Sequence, residues 1–265
     1  MTEPDRERLR ASFGEDAERY DRRRPGYPSE LFDDIAALVP AGSRSRVLEI
    51  GCGTGQATLP MARLGYTIVA VELSTDLAAI ARRNLAGFDN VAVVVSAFED
   101  WAPPDTPFDL VLSATAFHWL DPDTRMTRTA DVLRPDGVAA IVSTHHVAGG
   151  TASFFVDAQG CYERYDPSTP PGLRLEHASD IPTDSTEFDE SDRFGTVGFR
   201  RYEWEETYTA DEYVDLLLTY SGHRTLEPAA QDGLLTCIAN LINDDHAGRI
   251  TKRYLTQLAT ARRMA

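Results

Sequence analysis

Two acids and a run of glycines are spaced to do chemistry. Glu49 precedes Gly51, Gly53 and Gly55 in the stretch Arg46-Val47-Leu48-Glu49-Ile50-Gly51-Cys52-Gly53-Thr54-Gly55. Glycine at alternate positions lets the backbone turn sharply and approach a ligand, because no Cβ intervenes. A dinucleotide site asks for G-x-G-x-x-G with pyrophosphate on a helix N-terminus. Here the third glycine falls one place early, and Gln56 stands where that pattern needs glycine. A carboxylate at Glu49 would repel a pyrophosphate and suit an ammonium group. The run therefore points to a cofactor with a cationic amine and no phosphate, against a plain glycine turn after a buried strand. Glu72 lies about twenty residues beyond the loop, the spacing at which an acid meets ribose hydroxyls in nucleoside-binding α/β folds. A carboxylate accepts from both hydroxyls.

Those residues need elements to hold them. Val47, Leu48 and Ile50 read as a buried strand, and Gln56 to Leu64 as the helix after it. Thr67 to Val71 reads as a second strand ending at Glu72, with Ser74 or Thr75 capping the helix Asp76 to Leu85. The β-branched run Val91 to Val95 reads as a buried third strand. Phe108 to Ser113 is a fourth, followed by a helix from Pro122 to Leu133, a turn at Arg134-Pro135-Asp136-Gly137 and a fifth strand from Val138 to Val142. His145 and His146 fall just past that strand. Such alternation implies an α/β fold, a parallel sheet covered on both faces. Ligands bind beyond the carboxyl ends of the strands where strand order reverses. That reversal falls between the first and fourth strands, so residues 51–55 should face residues 114–119.

His118 ends the fourth strand and is the candidate catalytic base; its alternative is a structural histidine packed on Trp119. His145 and His146 are weaker candidates for substrate contact. No third ligand is spaced to complete a metal site with these histidines, so none is expected.

The segment Leu48 to Gly55 resembles the glycine-rich first motif of class I S-adenosylmethionine-dependent methyltransferases. Phe108-Asp109-Leu110-Val111 and Phe117-His118-Trp119 are phrases of the same family. Asp16-Ala17-Glu18-Arg19-Tyr20-Asp21 with Arg24-Pro25-Gly26-Tyr27-Pro28 resembles the N-terminal signature of the group similar to trans-aconitate methyltransferase. The resemblance covers about residues 10–145 well and the remainder loosely. It implies a doubly wound, mostly parallel seven-stranded sheet, Rossmann-like, with a lid insertion after the fifth strand and the last two strands antiparallel at one edge. It implies S-adenosyl-L-methionine as cofactor, S-adenosyl-L-homocysteine as product and a small-molecule methyl acceptor. Tyr20 would cover the cofactor and Arg24 pair with its carboxylate. Glu49, Gly51, Gly53, Glu72, Leu73, Ala97, Phe98 and Thr115 complete the implied cofactor-binding set. Ala97 stands where the family commonly has an aspartate for the adenine amino group, and Phe98 is left to lie on the adenine face.

The implied organisation is a flap over 1–30, a cofactor-binding core over 31–145, a lid or mobile insertion over 146–198, and the C-terminal part of the sheet over 199–265. Within the insertion the alternatives are a solvated mobile loop and a helical lid lined by Phe154, Phe155, Tyr162 and Tyr165. Phe199 to Tyr208 reads as a strand, Thr209 as the cap of a helix to Tyr220, and Pro228 to Ile242 as another helix. Arg249 to Ala259 reads equally as strand or helix, and the resemblance implies strand.

Composition narrows the rest. The chain has 265 residues, 42% of them hydrophobic, and a net charge of -16. No basic footprint stands out, which speaks against nucleic acid as partner. Cys52, Cys161 and Cys237 are far apart and suggest neither a disulfide scaffold nor zinc. No apolar run reaches the roughly 18 residues of a membrane span, so no membrane partner is expected. The charged stretch Met1 to Arg10 is not a secretory signal, which makes the cytoplasm the default location. The competing functions are a nicotinamide-dependent oxidoreductase, opposed by Gln56 and Glu49, and a non-catalytic protein that keeps the cofactor.

Overall fold

The structure is a computed structural model that describes Gly14, residues 16–42 and residues 44–265. The charged stretch Met1 to Arg10, and the part of the expected flap before Gly14, lie outside the described residues. Two helices come first, α1 (Ala17–Arg23) and α2 (Ser29–Leu38). The alternating part follows as β1 (Arg46–Ile50), α3 (Thr58–Arg63), β2 (Thr67–Glu72), α4 (Thr75–Asn84), β3 (Val91–Val95) and β4 (Phe108–Ala114). A 3-10 turn at Phe117–Trp119, α5 (Arg125–Val132) and β5 (Leu133–Val147) complete it. The C-terminal half adds α6 (Ala152–Tyr165), α7 (Thr186–Glu190), β6 (Gly198–Thr209), α8 (Ala210–Leu217), α9 (Ser221–Arg224), α10 (Pro228–Asp245) and β7 (Arg249–Arg262). No helix among the described residues is long and apolar enough to cross a membrane.

One sheet of seven strands runs in the order β3-β2-β1-β4-β5-β7-β6. β1 pairs in parallel with both β2 and β4, so Glu49 lies between Ala70 and Leu112. The chain lays β2 and β3 on one side of β1, then crosses to lay β4 and β5 on the other. Strand order reverses there, and a cleft opens at the carboxyl ends of β1 and β4. β7 is antiparallel to β5 and β6. This is the Rossmann-like α/β fold that the alternation and the resemblance implied, with β6 and β7 antiparallel to each other as the resemblance implied, and β7 settles the strand-or-helix ambiguity at Arg249.

Alternation on the central strands divides the core. Val47 packs with Leu31, Ile35 and Leu110 on one face, and Leu48 with Val111, Met126 and Ala130 on the other. A third cluster joins α6, α8 and α10 to the outer strands through Phe154, Leu216, Ile238 and Tyr254. Helix ends match their chemistry. The Ser74 hydroxyl accepts from Leu77 N–H at the start of α4, and Thr209 and Glu212 form a capping box on α8.

Several expectations are corrected. β3 is an edge strand rather than a buried one, and Val95 is 40% exposed. A β-branched run suits either position, because the sheet order decides how much of it is covered. β5 continues to Val147, so His145 and His146 lie within the strand, opposite Leu255 and Tyr254. The turn at residues 134–137 becomes an irregularity in β5, with Asp136 at φ 60°. The helix expected from Pro122 starts at Arg125. Cys161 and Cys237 form a disulfide across α6 and α10, with Cα atoms 5.9 Å apart. Seventy-six residues separate them in sequence, and only the packing of the two helices brings them together. Phe154, Phe155, Tyr162 and Tyr165 belong to the α6–α8–α10 core and do not line the central cavity.

Candidate active site

A cavity of about 360 Å³ opens beyond the carboxyl ends of β1 and β4. Its wall includes Gly51, Gly53, Glu72, Leu73 and Phe98 on the side of the opening strands. Thr115 and His118 stand at the end of β4, and Tyr20 and Arg24 close over from the N-terminal segment. Nine of the residues singled out in the sequence are thus gathered at one place. Glu49 and Ala97 are not on the wall, and Ser96 lines it in the stretch where Ala97 was expected.

The glycine loop is held by its geometry and by one acid. Gly51 has φ 71° and Gly53 φ 58°, backbone that side chains rarely adopt. A Cβ on Gly51 would stand 2.5 Å from the Cβ of Ala116, so the loop and the end of β4 approach as closely as backbone allows. Gly53 N–H donates to Glu72 Oε2 at 2.9 Å, and Ser74 N–H to Oε1 at 2.8 Å. Glu72 is buried, and its carboxylate ties the first and second strand ends together at the cavity edge.

Across the cleft, Thr115 has φ 56°, an outlier for a β-branched residue. Such conformations cost about 1–3 kcal/mol and gather at functional sites. Thr115 N–H donates to Val142 O at 2.8 Å, and its hydroxyl shares a 3.0 Å hydrogen bond with Tyr27. Those contacts hold the strained residue in place.

Glu49 lies behind the loop, 2% exposed, and its Oε2 has no hydrogen-bond partner. Burial raises its pKa to about 8, with the Glu72 charge adding and the Thr58 hydroxyl opposing. The carboxyl is therefore mostly neutral at pH 7 in the chain as described, whereas its sequence position suggested a standing negative charge.

α1 bridges the two halves of the molecule above the cavity. Arg19 and Arg23 pair with Asp215 and Glu212 on α8, at 3.2 and 3.1 Å. Arg83 on α4 pairs with Asp21 at 3.4 Å. Arg24 donates to Thr219 O at 2.8 Å, and its guanidinium lies 5.1 Å from the Tyr20 ring centre and 4.4 Å from that of Tyr220.

His118 presents its ring to the cavity beside Trp119, with ring centres 4.8 Å apart. Desolvation lowers its pKa, helped by the charges of Arg125 and Arg24. A neutral imidazole at pH 7 is able to accept a proton.

On the far wall, His146 was a weaker candidate from its sequence position, and the other residues carried no local signal. Thr144 and His146 reach it from β5, Tyr254 from β7, and Tyr220 and Ser221 from the approach to α9. Tyr27 follows Arg24 on the near side. These come from separate elements with no local motif to join them. Among the described residues, no group of three His, Cys, Asp or Glu side chains is placed to hold a metal ion.

Comparison with known proteins agrees with this geometry. Residues 47–137, from β1 into the β5 irregularity, match the family model of a methyltransferase domain. The chain is 36% identical over 131 residues to an uncharacterized methyltransferase of Mycobacterium tuberculosis, covering 49% of this chain and 51% of that protein. It is 30% identical over 126 residues to a yeast (Saccharomyces cerevisiae) protein named a "probable S-adenosylmethionine-dependent methyltransferase", covering 46% and 43%. The chain thus spans about half the length of the curated relatives it matches. Among solved structures, a "putative type II methyltransferase" from Anaeromyxobacter dehalogenans superposes over 90% of this chain and 97% of its own, with TM-score 0.62 and 25% identity. Residues 47–137 thus resemble a methyltransferase domain, on a Rossmann-like fold similar to that of solved methyltransferase structures.

Proposed function

We propose that the chain transfers a methyl group from S-adenosylmethionine to a small-molecule acceptor. The observation that carries this reading is the cavity edge where Glu72 holds the glycine loop. It joins an acid suited to ribose hydroxyls to a loop with no Cβ on the ligand side. The orphaned Oε2 of Glu49 fits the same ligand. A cationic amine beyond the loop would favour the ionised carboxylate and give that buried oxygen a reason to be there. Tyr20 and Arg24 would close the methionine end, with Leu73 and Phe98 flanking the nucleoside. The described part of the expected flap, residues 16–30, then closes over a cofactor-binding core of residues 31–145.

Bound S-adenosylmethionine supplies a methyl group already activated on its sulfonium. The chain's own work is to position the acceptor, exclude water and, for a hydroxyl or amine acceptor, take up a proton. We assign that last role to His118, a reading supported by its position on the cavity wall and by its lowered pKa. A carboxylate acceptor needs no base, and His118 would then orient it. The resemblance to the group around trans-aconitate methyltransferase favours a carboxylic acid or a secondary metabolite. The test is a metabolite screen for S-adenosylhomocysteine release. Turnover that His118→Ala lowers more than about tenfold at saturating cofactor supports the assignment. Release that is absent with every acceptor while NADH is oxidised would point to the oxidoreductase instead.

A further inference from the structure

The far wall of the cavity is built by the C-terminal half of the chain. The β5–β7 register sets His146 opposite Tyr254. His146 Nε2 shares a 3.2 Å hydrogen bond with the Tyr220 hydroxyl. The His146 ring stands edge-on to both tyrosines, with centres 5.3 and 5.6 Å away. Behind the wall, the Tyr254 hydroxyl bonds that of Tyr208 at 2.9 Å. Burial, then the charges of Lys252 and Arg24, keeps His146 neutral.

A phenol offers one proton and two lone pairs. Tyr220 shares its hydroxyl with His146 Nε2, and Tyr254 lines the cavity beside it. The phenol keeps hydrogen-bonding capacity toward the cavity that all three line. His146 fixes the direction of the hydroxyl, so a group placed there is read by direction as well as by charge.

Charge narrows the class of that group. Among the described residues, the carboxylate on the cavity wall is Glu72, which holds the glycine loop and which the methyl-transfer reading gives to the ribose hydroxyls. The wall at Tyr220 carries the guanidinium of Arg24 instead. An ammonium placed there finds no free acid to pair with, because Glu72 is committed to the loop and the ribose. With His146 in the Nε2–H tautomer the ring donates to Tyr220, which leaves the phenol proton for an oxygen group.

We propose that this wall is the acceptor subsite, that it takes an oxygen nucleophile (a carboxylate or a hydroxyl) in preference to an amine, and that Tyr220, oriented by His146, grips it. The inference rests on the methyl-transfer reading above. It is tested with S-adenosylmethionine carrying a trideuterated methyl group and a pool of small carboxylic acids, phenols, alcohols and primary amines. Mass spectrometry reads where the label goes. The expected label is on oxygen, and the arms of the pool separate esters from ethers. Tyr220→Phe should raise the acceptor KM at least about tenfold while leaving cofactor affinity within about twofold. His146→Gln, which can place an amide near Nε2, should retain acceptor affinity that His146→Phe loses. Label on nitrogen, an acceptor KM unmoved by Tyr220→Phe, or cofactor binding without transfer to any oxygen in the pool overturns the subsite. Failure of the wild-type chain to bind S-adenosylmethionine in calorimetry overturns the methyl-transfer reading itself. Thermal melts of each variant separate loss of the fold from loss of the contact.

Discussion

The backbone N–H of Gly53 donates to the carboxylate of Glu72 at 2.9 Å, across nineteen residues of sequence. The same carboxylate takes Ser74 N–H with its other oxygen. Glu72 is therefore a strut of the glycine loop as well as the candidate ribose contact. Glu72→Ala leaves two N–H groups without their acceptor, at about 1–3 kcal/mol for each that stays buried. Cofactor affinity should fall by about tenfold or more, and the melting temperature should fall as well. Calorimetric titration together with a thermal melt reads both. A variant that binds like the wild type sinks the ribose assignment.

Gly51 and Ala116 set the width of the cleft. Gly51→Ala places a methyl where 2.5 Å separates it from another, on backbone at φ 71°. Both the clash and the left-handed conformation oppose it, the latter by about 1–2 kcal/mol. The expected outcome is a clear loss of stability in urea. Gly53→Ala meets no atom nearer than 3.5 Å and should keep more of the fold while weakening cofactor binding. Equal effects of the two substitutions would contradict the cleft geometry.

Much of this was legible because the signals are local. Glu49 to Gly55 and Glu72 announce a strand end, a loop and an acid at one register, and the alternating elements place His118 across from them. Edge position was not legible, because Val91 to Val95 has the same composition wherever the sheet puts it. The Cys161–Cys237 bond depends on two helices meeting, which spacing does not reveal. Phe154 and Tyr162 looked like lid residues, but aromatics at helical spacing serve a core equally well. The far wall was the least legible. Tyr220 and Tyr254 acquire their role only when β5, β7 and the approach to α9 converge.

Glu49 makes stability depend on pH. Its folded pKa is raised from 4.5 to about 8 by burial, so the unfolded chain ionises first. Native stability is favoured at low pH and lost progressively as pH rises from about 4.5 to about 8. Glu49→Gln removes that loss. The unliganded variant should resist urea better than wild type at pH 8, and the advantage should shrink toward pH 5. A constant difference across that range would contradict the buried, raised carboxyl.

Lys252 acts in the opposite sense. It is 4% exposed, its Nζ lies 3.4 Å from the Tyr213 hydroxyl, and burial lowers its pKa from 10.5 to about 7. The unfolded chain holds the proton more tightly, so this group's contribution to stability improves as pH rises from about 7 to about 10.5. Lys252→Met should be more stable than wild type at pH 7, with the gap closing by pH 10. Denaturant melts at the two pH values decide it.

The central claim is that the cavity at Gly53 and Glu72 is built for an amine-bearing, phosphate-free nucleoside. Isothermal titration of the wild-type chain with S-adenosylmethionine and, separately, with NADH tests it most directly. The account predicts saturable binding of S-adenosylmethionine that Glu72→Ala weakens, and no comparable binding of NADH. Tight binding of NADH with none of S-adenosylmethionine would contradict it.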